Sequence, residues 1–146
     1  MKRMLQEWLA SRWVAVVCAL LPVGVALPAE GAALTPALDG AFRRYVSLPD
    51  ALLPVLESAK DRKSADHAAA DLQALLPRVY EARQELRSIQ ALTPQQQQTV
   101  RERYESAMRS RWGKVFDHIY RLQRSHCYES VEFFKHFSTL CVMLEK

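Results

Sequence analysis

The chain has 146 residues, with 20 Lys and Arg against 16 Asp and Glu and a net charge of +4. A charge this small does not imply a nucleic-acid partner. It contains no glycine-rich phosphate loop, no G-x-S-x-G and no H-E-x-x-H, so no enzyme and no cofactor are expected.

The N-terminal segment reads as an export signal. Lys2, Arg3 and Arg12 precede the apolar run WVAVVCALLPVGVALPA, which ends in the small residues AEGAA. A basic start, a short apolar centre and a small-residue exit describe a secretory signal peptide over 1–33, cleaved near Ala33. The run contains Pro22 and Gly24 and falls short of the roughly 20 apolar residues of a membrane span. Val17 precedes Cys18, where a lipidation site wants a small residue. The expected product is an exported chain of about 113 residues, periplasmic or secreted, and one domain in size.

Residues 34–47 read as a linker or loose helix, and 48–146 as a helical domain. The expected helices cover about 49–60, 64–90, 94–124 and 129–145, the first confined at its start by Pro49 and Pro54. The polar turn KDRKS follows. Ala65, Ala68, Leu72, Leu75, Val79, Ala82, Leu86 and Ile89 then step by three and four, the seam of a long helix packing with a left-handed twist. Ser64 stands where a cap belongs, with Asp66 in the first turn. Pro77 sits inside the seam, and the period carries through it, so a kink is predicted rather than an end.

Thr93, Pro94 and Gln96 then form a helix start: a Thr-x-x-Gln capping box with proline at the first helical position. Val100, Tyr104, Met108, Trp112, Val115, Ile119 and Leu122 mark the apolar face of the helix that follows. SHCYES at 125–130 reads as a break. Phe133, Phe134, Phe137, Leu140, Cys141 and Leu144 mark the last helix. Strand signals are absent. The expected fold is all-α: an up-and-down helical bundle, or a long helical hairpin with shorter flanking helices.

Between residues 101 and 124, seven cations stand against three carboxylates. Arg101, Arg109, Arg111, Lys114, Arg121 and Arg124 are the candidate basic face for a protein partner, with a membrane surface compatible but not required. Glu81 and Glu85, surrounded by Arg78, Arg83 and Arg87, read as helix-stabilising ion pairs rather than acid–base catalysts. On one continuous helix, Cys127 and Cys141 would lie about 21 Å apart, far beyond disulfide reach. Two free thiols, or an intermolecular bridge through Cys127, are therefore the expectation. His126, Cys127, His136 and Cys141 lack metal-ligand spacing. The alternative reading, a small haem- or metal-binding bundle, would use His118 or His126 with Met143.

LTPQQ at 92–96 resembles the LTxxQ motif of the Spy/CpxP family of periplasmic chaperones, through Leu92, Thr93 and Gln96. The family usually shows two such motifs, and this chain shows one. The resemblance implies a small, exported, all-helical and often basic protein. Its members form curved dimeric cradles that hold unfolded clients on a positively charged face with apolar patches. DRKSADHAAADLQALL at 61–76 is similar to a D-x-x-SA-x-x-AA segment of small exported bacterial proteins of unknown role, where it joins a short helix to a long one. The expected partner is thus an unfolded or acidic protein, or a second copy in a homodimer.

Overall fold

The computed structural model describes residues 34–89 and 92–145; the expected signal peptide lies outside them. Thr35 opens the first helix, α1 (Pro36–Ser58), its hydroxyl accepting the Leu38 amide at 3.3 Å with Pro36 in the first turn. The segment read as linker or loose helix is therefore the first half of α1. Pro49 and Pro54 lie inside this helix and do not start it. Each proline removes a backbone hydrogen bond, at about 3 kcal/mol in a helix interior. Packing outweighs that loss, because Leu38, Phe42, Tyr45, Pro49, Leu52 and Leu56 form one buried stripe on both sides of the prolines.

Only Ala59, Lys60 and Asp61 separate α1 from α2 (Arg62–Ser88). The cap of α2 is Asp61 rather than Ser64. Its carboxylate accepts the Ser64 amide at 2.8 Å, and the Ser64 hydroxyl accepts the Asp61 amide at 3.0 Å. The expected cap thus sits three positions into the reciprocal box, because Asp reaches the exposed amides one turn earlier. α2 continues through Pro77. Ala65, Ala68, Leu72, Val79 and Ala82 of the seam are buried, and Leu75 and Leu86 pack half-buried against the same core. The alanines let α1 approach closely at the tight end of the hairpin, where Leu52, Leu56, Ala59 and Ala65 have no exposed surface.

The third rod comprises α3 (Pro94–Val100), a π-helical turn Arg101–Glu105 and α4 (Ser106–Arg124), with right-handed helical backbone at both junctions. A π turn inserts an extra residue, here around buried Tyr104. The last helix is α5 (Val131–Glu145). The described residues thus build four helical rods and an all-α fold.

Side-chain links set the directions of the rods. Arg44 of α1 meets Glu85 of α2 at 2.7 Å, as an antiparallel hairpin requires. α4 runs beside α1 in the same direction, joined by Tyr104 to Asp39 and Arg111 to Asp50. α5 runs beside α2, with Ser130 donating to Asp66 at 2.6 Å near the start of both. The α1–α2 hairpin is therefore central, and α4 and α5 flank it. The main core joins all four helices, with Tyr45 stacked on Trp112 at 4.8 Å. A smaller cluster of Leu34, Leu38, Phe42, Val46 and Tyr104 closes the N-terminal end of α1.

The expected break between α4 and α5 has an unusual form. His126, Cys127, Tyr128 and Glu129 have φ of 49°, 52°, 54° and 61°, a left-handed turn without a glycine. Each such residue costs roughly 1–2 kcal/mol, so surrounding contacts must hold the turn. Cys127 is buried, and the Tyr128 hydroxyl accepts from Arg121. Ser130, just beyond, bonds to Asp66 and accepts the Phe133 amide.

Replacing exposed His126 or Glu129 with glycine removes the left-handed penalty. Each variant is expected to raise unfolding stability by about 0.5–1 kcal/mol in urea titrations, after allowing for glycine's looser unfolded chain. Ser125, at φ −87°, is the control: Ser125→Gly should not stabilise. Equal destabilisation by all three would contradict a strained turn.

Candidate functional site

The cations expected to share one face are dispersed by the fold. Arg109 pairs with Glu105 one turn back at 2.6 Å, and Arg111 crosses to Asp50 of α1 at 2.7 Å. Arg124 lies over the Tyr120 ring, 5.7 Å from its centre. Arg121 turns inward, donating to the Leu56 carbonyl at 2.6 Å, the Ala59 carbonyl at 2.9 Å and the Tyr128 hydroxyl at 3.1 Å. Arg101 and Lys114 remain exposed. Helical rotation is the reason: these six positions point around most of the rod, and the π turn shifts Arg101 further from the others.

The α1–α4 side is thus knitted shut. Asp39 accepts from the Tyr104 hydroxyl at 2.5 Å and pairs with Arg43 and Arg103. The Tyr104 hydrogen bond, followed by the arginines, holds its carboxyl below the usual carboxylate range.

The motif residues are occupied with starting a helix. The Thr93 hydroxyl accepts the Gln96 amide at 3.2 Å, and the Gln96 side chain accepts the Thr93 amide at 3.1 Å. Leu92 packs half-buried against the smaller cluster, its carbonyl accepting from Gln97 at 3.1 Å.

His118 pairs with Glu57 of α1 at 3.3 Å, His126 is exposed in the left-handed turn, and Met143 lies between α2 and α5. The haem alternative's residues therefore belong to different helix pairs. No group of three His, Cys, Asp or Glu able to hold a metal occurs among the described residues. Both described cysteines are free. Cys127 is 1% exposed, so the intermolecular bridge expected through it would require the left-handed turn to open. Burial pushes both thiols up to about 11.

A site of different make-up lies between α2 and α5. Tyr80, Arg83, Gln84 and Arg87 face Ser138, Thr139, Val142 and Met143 across a half-open groove of about 430 Å³. One guanidinium nitrogen of Arg83 is buried without a hydrogen-bond partner, burial lowers the pKa of this side chain, and the guanidinium lies within electrostatic reach of the Tyr45 phenol of α1. The expected local pairing with Glu81 and Glu85 does not form, because Glu85 turns to Arg44 on α1. Tyr80, Arg83, Gln84 and Arg87 stand at i, i+3, i+4 and i+7. That spacing is the one trace of the groove the sequence carries, and it is masked by the neighbouring carboxylates.

Two exposed apolar side chains, Tyr80 and Val142, line this groove. The exposed large hydrophobic side chains among the described residues are Tyr80 (52%), Val131 (75%), Phe134 (55%) and Val142 (47%). One is on α2 and three are on α5; α1 and α4 contribute none. Compared with models of known families, with curated proteins and with solved structures, the chain gives no match.

The buried thiols make stability depend on alkaline pH. Their folded pKa lies above the ordinary 9.0, so their contribution is complete below pH 9 and is lost as pH rises toward 11. Tyr45, pushed up by burial from 10.0 to about 12, adds a loss above pH 10. Urea midpoints should therefore fall from pH 9 upward. The paired change Cys127→Ala with Cys141→Ala should abolish the decline between pH 9 and 10 and leave the later one. A decline unchanged in that variant would contradict thiol burial.

Proposed function

We propose that this chain is a non-catalytic, exported helical module of the cell envelope that holds unfolded or acidic protein partners. The carrying observation is the distribution of exposed large apolar side chains: among the described residues Tyr80 is on α2, and Val131, Phe134 and Val142 are on α5. Exposed apolar surface gathered on one side of a small helical domain is the usual signature of a partner-binding surface. The opposite α1–α4 side is closed by ion pairs from Arg103 and Arg111. Arg83 and Arg87 add positive charge beside the apolar side chains, the combination that suits acidic or unfolded protein segments. The likeness of LTPQQ to the Spy/CpxP motif supports the same reading, with Leu92, Thr93 and Gln96 serving the helix start.

Aggregation suppression tests it. Protein expressed from the full sequence is added to a chemically unfolded client on dilution, and light scattering is followed. Near-stoichiometric suppression is expected, reduced at least severalfold by Phe134→Ser with Val142→Ser. Arg109→Glu should change it little, since Arg109 is already paired to Glu105. Absence of suppression at several-fold excess would remove the client-holding reading.

A further inference from the structure

The α2–α5 groove has two unlike halves. Arg83 and Arg87 are one helical turn apart, so their side chains are neighbours. Neither appears in an ion pair among the described residues, and the nearby Glu85 pairs with Arg44 instead. One Arg83 nitrogen is buried without any acceptor. A buried donor left unpaired is unfavourable, and two adjacent guanidiniums repel one another. An anion entering the groove relieves that repulsion. Carboxylate suits best, because guanidinium presents parallel N–H donors that match its two oxygens.

The rest of the lining mixes apolar side chains with the polar Gln84, Ser138 and Thr139. Tyr80, Val142 and Met143 border the groove, with Tyr80 and Val142 about half exposed. A bare anion would leave these walls wet, and a purely apolar ligand would leave the guanidiniums unpaired. The occupant therefore carries both groups. The groove is half open and follows two parallel helices, which suits a chain segment lying along it more than a small molecule enclosed by it.

We propose that this groove binds an acidic–apolar peptide segment, one carboxylate side chain clamped by Arg83 and Arg87 and its apolar neighbour resting on Tyr80 and Val142. The assignment rests on the reading of the chain as a protein-holding module and names the chemistry of what it holds. Specificity follows from the pairing. An amide in place of the carboxylate cannot accept two parallel charged hydrogen bonds, and a cation in its place meets two like charges.

Fluorescence anisotropy with labelled short peptides tests the proposal on protein expressed from the full sequence. The probes alternate Leu with Glu, Gln or Lys. The Glu peptide should bind at least about tenfold more tightly than the Gln peptide, as loss of one charge-assisted hydrogen-bond set would give. The Lys peptide should not bind. Arg87→Gln, at an exposed position, should weaken the Glu peptide about tenfold and leave the Gln peptide unchanged. Ser138→Phe keeps both charges, fills the groove and should block both peptides. Equal binding of the Glu and Gln peptides, or indifference to both substitutions, would overturn the proposal. So would tight binding of decanoate without binding of the Glu peptide, which would assign the groove to a free amphiphile. If client aggregation is suppressed while the peptides ignore Arg87 and Ser138, the groove assignment fails and the holding function stands. If neither suppression nor peptide binding is seen, both fail.

Discussion

The guanidinium of Arg121 joins three parts of the molecule: the end of α1, α4 and the turn that follows it. α1 ends without a basic side chain in its last turn, and the last carbonyls of a helix have no partner within it. Arg121, on α4, supplies donors to the carbonyls of Leu56 and Ala59 and reaches the Tyr128 hydroxyl with the same group. One contact thus finishes α1, draws α4 alongside it and holds the left-handed turn that follows. That turn decides where α5 begins. Ser130 then bonds to Asp66 near the start of α2, and α5 is laid along α2 rather than elsewhere on the hairpin.

The same interaction shapes the electrostatics of the surface. A chain with an excess of basic residues could present them as a continuous patch, yet the third rod uses most of its cations within the fold. Arg103 and Arg111 tie α1, Arg109 ties its own helix and Arg121 caps α1 from inside. Exposed ion pairs of this kind contribute only about 0–1 kcal/mol each. They nonetheless neutralise one side of the molecule. Arg101 and Lys114 stay exposed on the third rod, while Arg83 and Arg87 of α2 stand beside the apolar Tyr80, Val142 and Met143. The α1–α4 side thus carries more ion pairs within the fold than the α2–α5 side does.

What could be read in advance followed from local chemistry and from period. The seam from Ala65 to Leu86 and the Thr93–Gln96 box were legible because helix packing and capping depend on neighbours within one or two turns. α1 is longer than the sequence indicates because Pro49 and Pro54 carry a local penalty, whereas the compensating burial of Phe42, Leu52 and Leu56 is tertiary. Ser64 was given the cap of α2 because both Asp61 and Ser64 suit it, and only geometry shows that the carboxylate reaches first. The basic face is dispersed for a similar reason. Charges close in sequence suggest one patch, but Asp50 and the Leu56 carbonyl, which take up Arg111 and Arg121, lie 61 and 65 positions away. The groove was hidden by the same local reasoning, which paired Arg83 with carboxylates that turn elsewhere.

Equilibrium unfolding of Arg121→Met beside Lys114→Met, with both stems retained, tests most directly whether the cations of the third rod belong to the fold. Lys114 is exposed on the same helix and should change stability by less than about 0.5 kcal/mol. Loss of the Arg121 donors leaves two carbonyls and a strained turn unsupported, and should cost about 3 kcal/mol. Near-equal effects of the two substitutions would contradict the account. They would return Arg121 to an ordinary surface charge and leave the left-handed turn, and with it the placement of α5, without a cause.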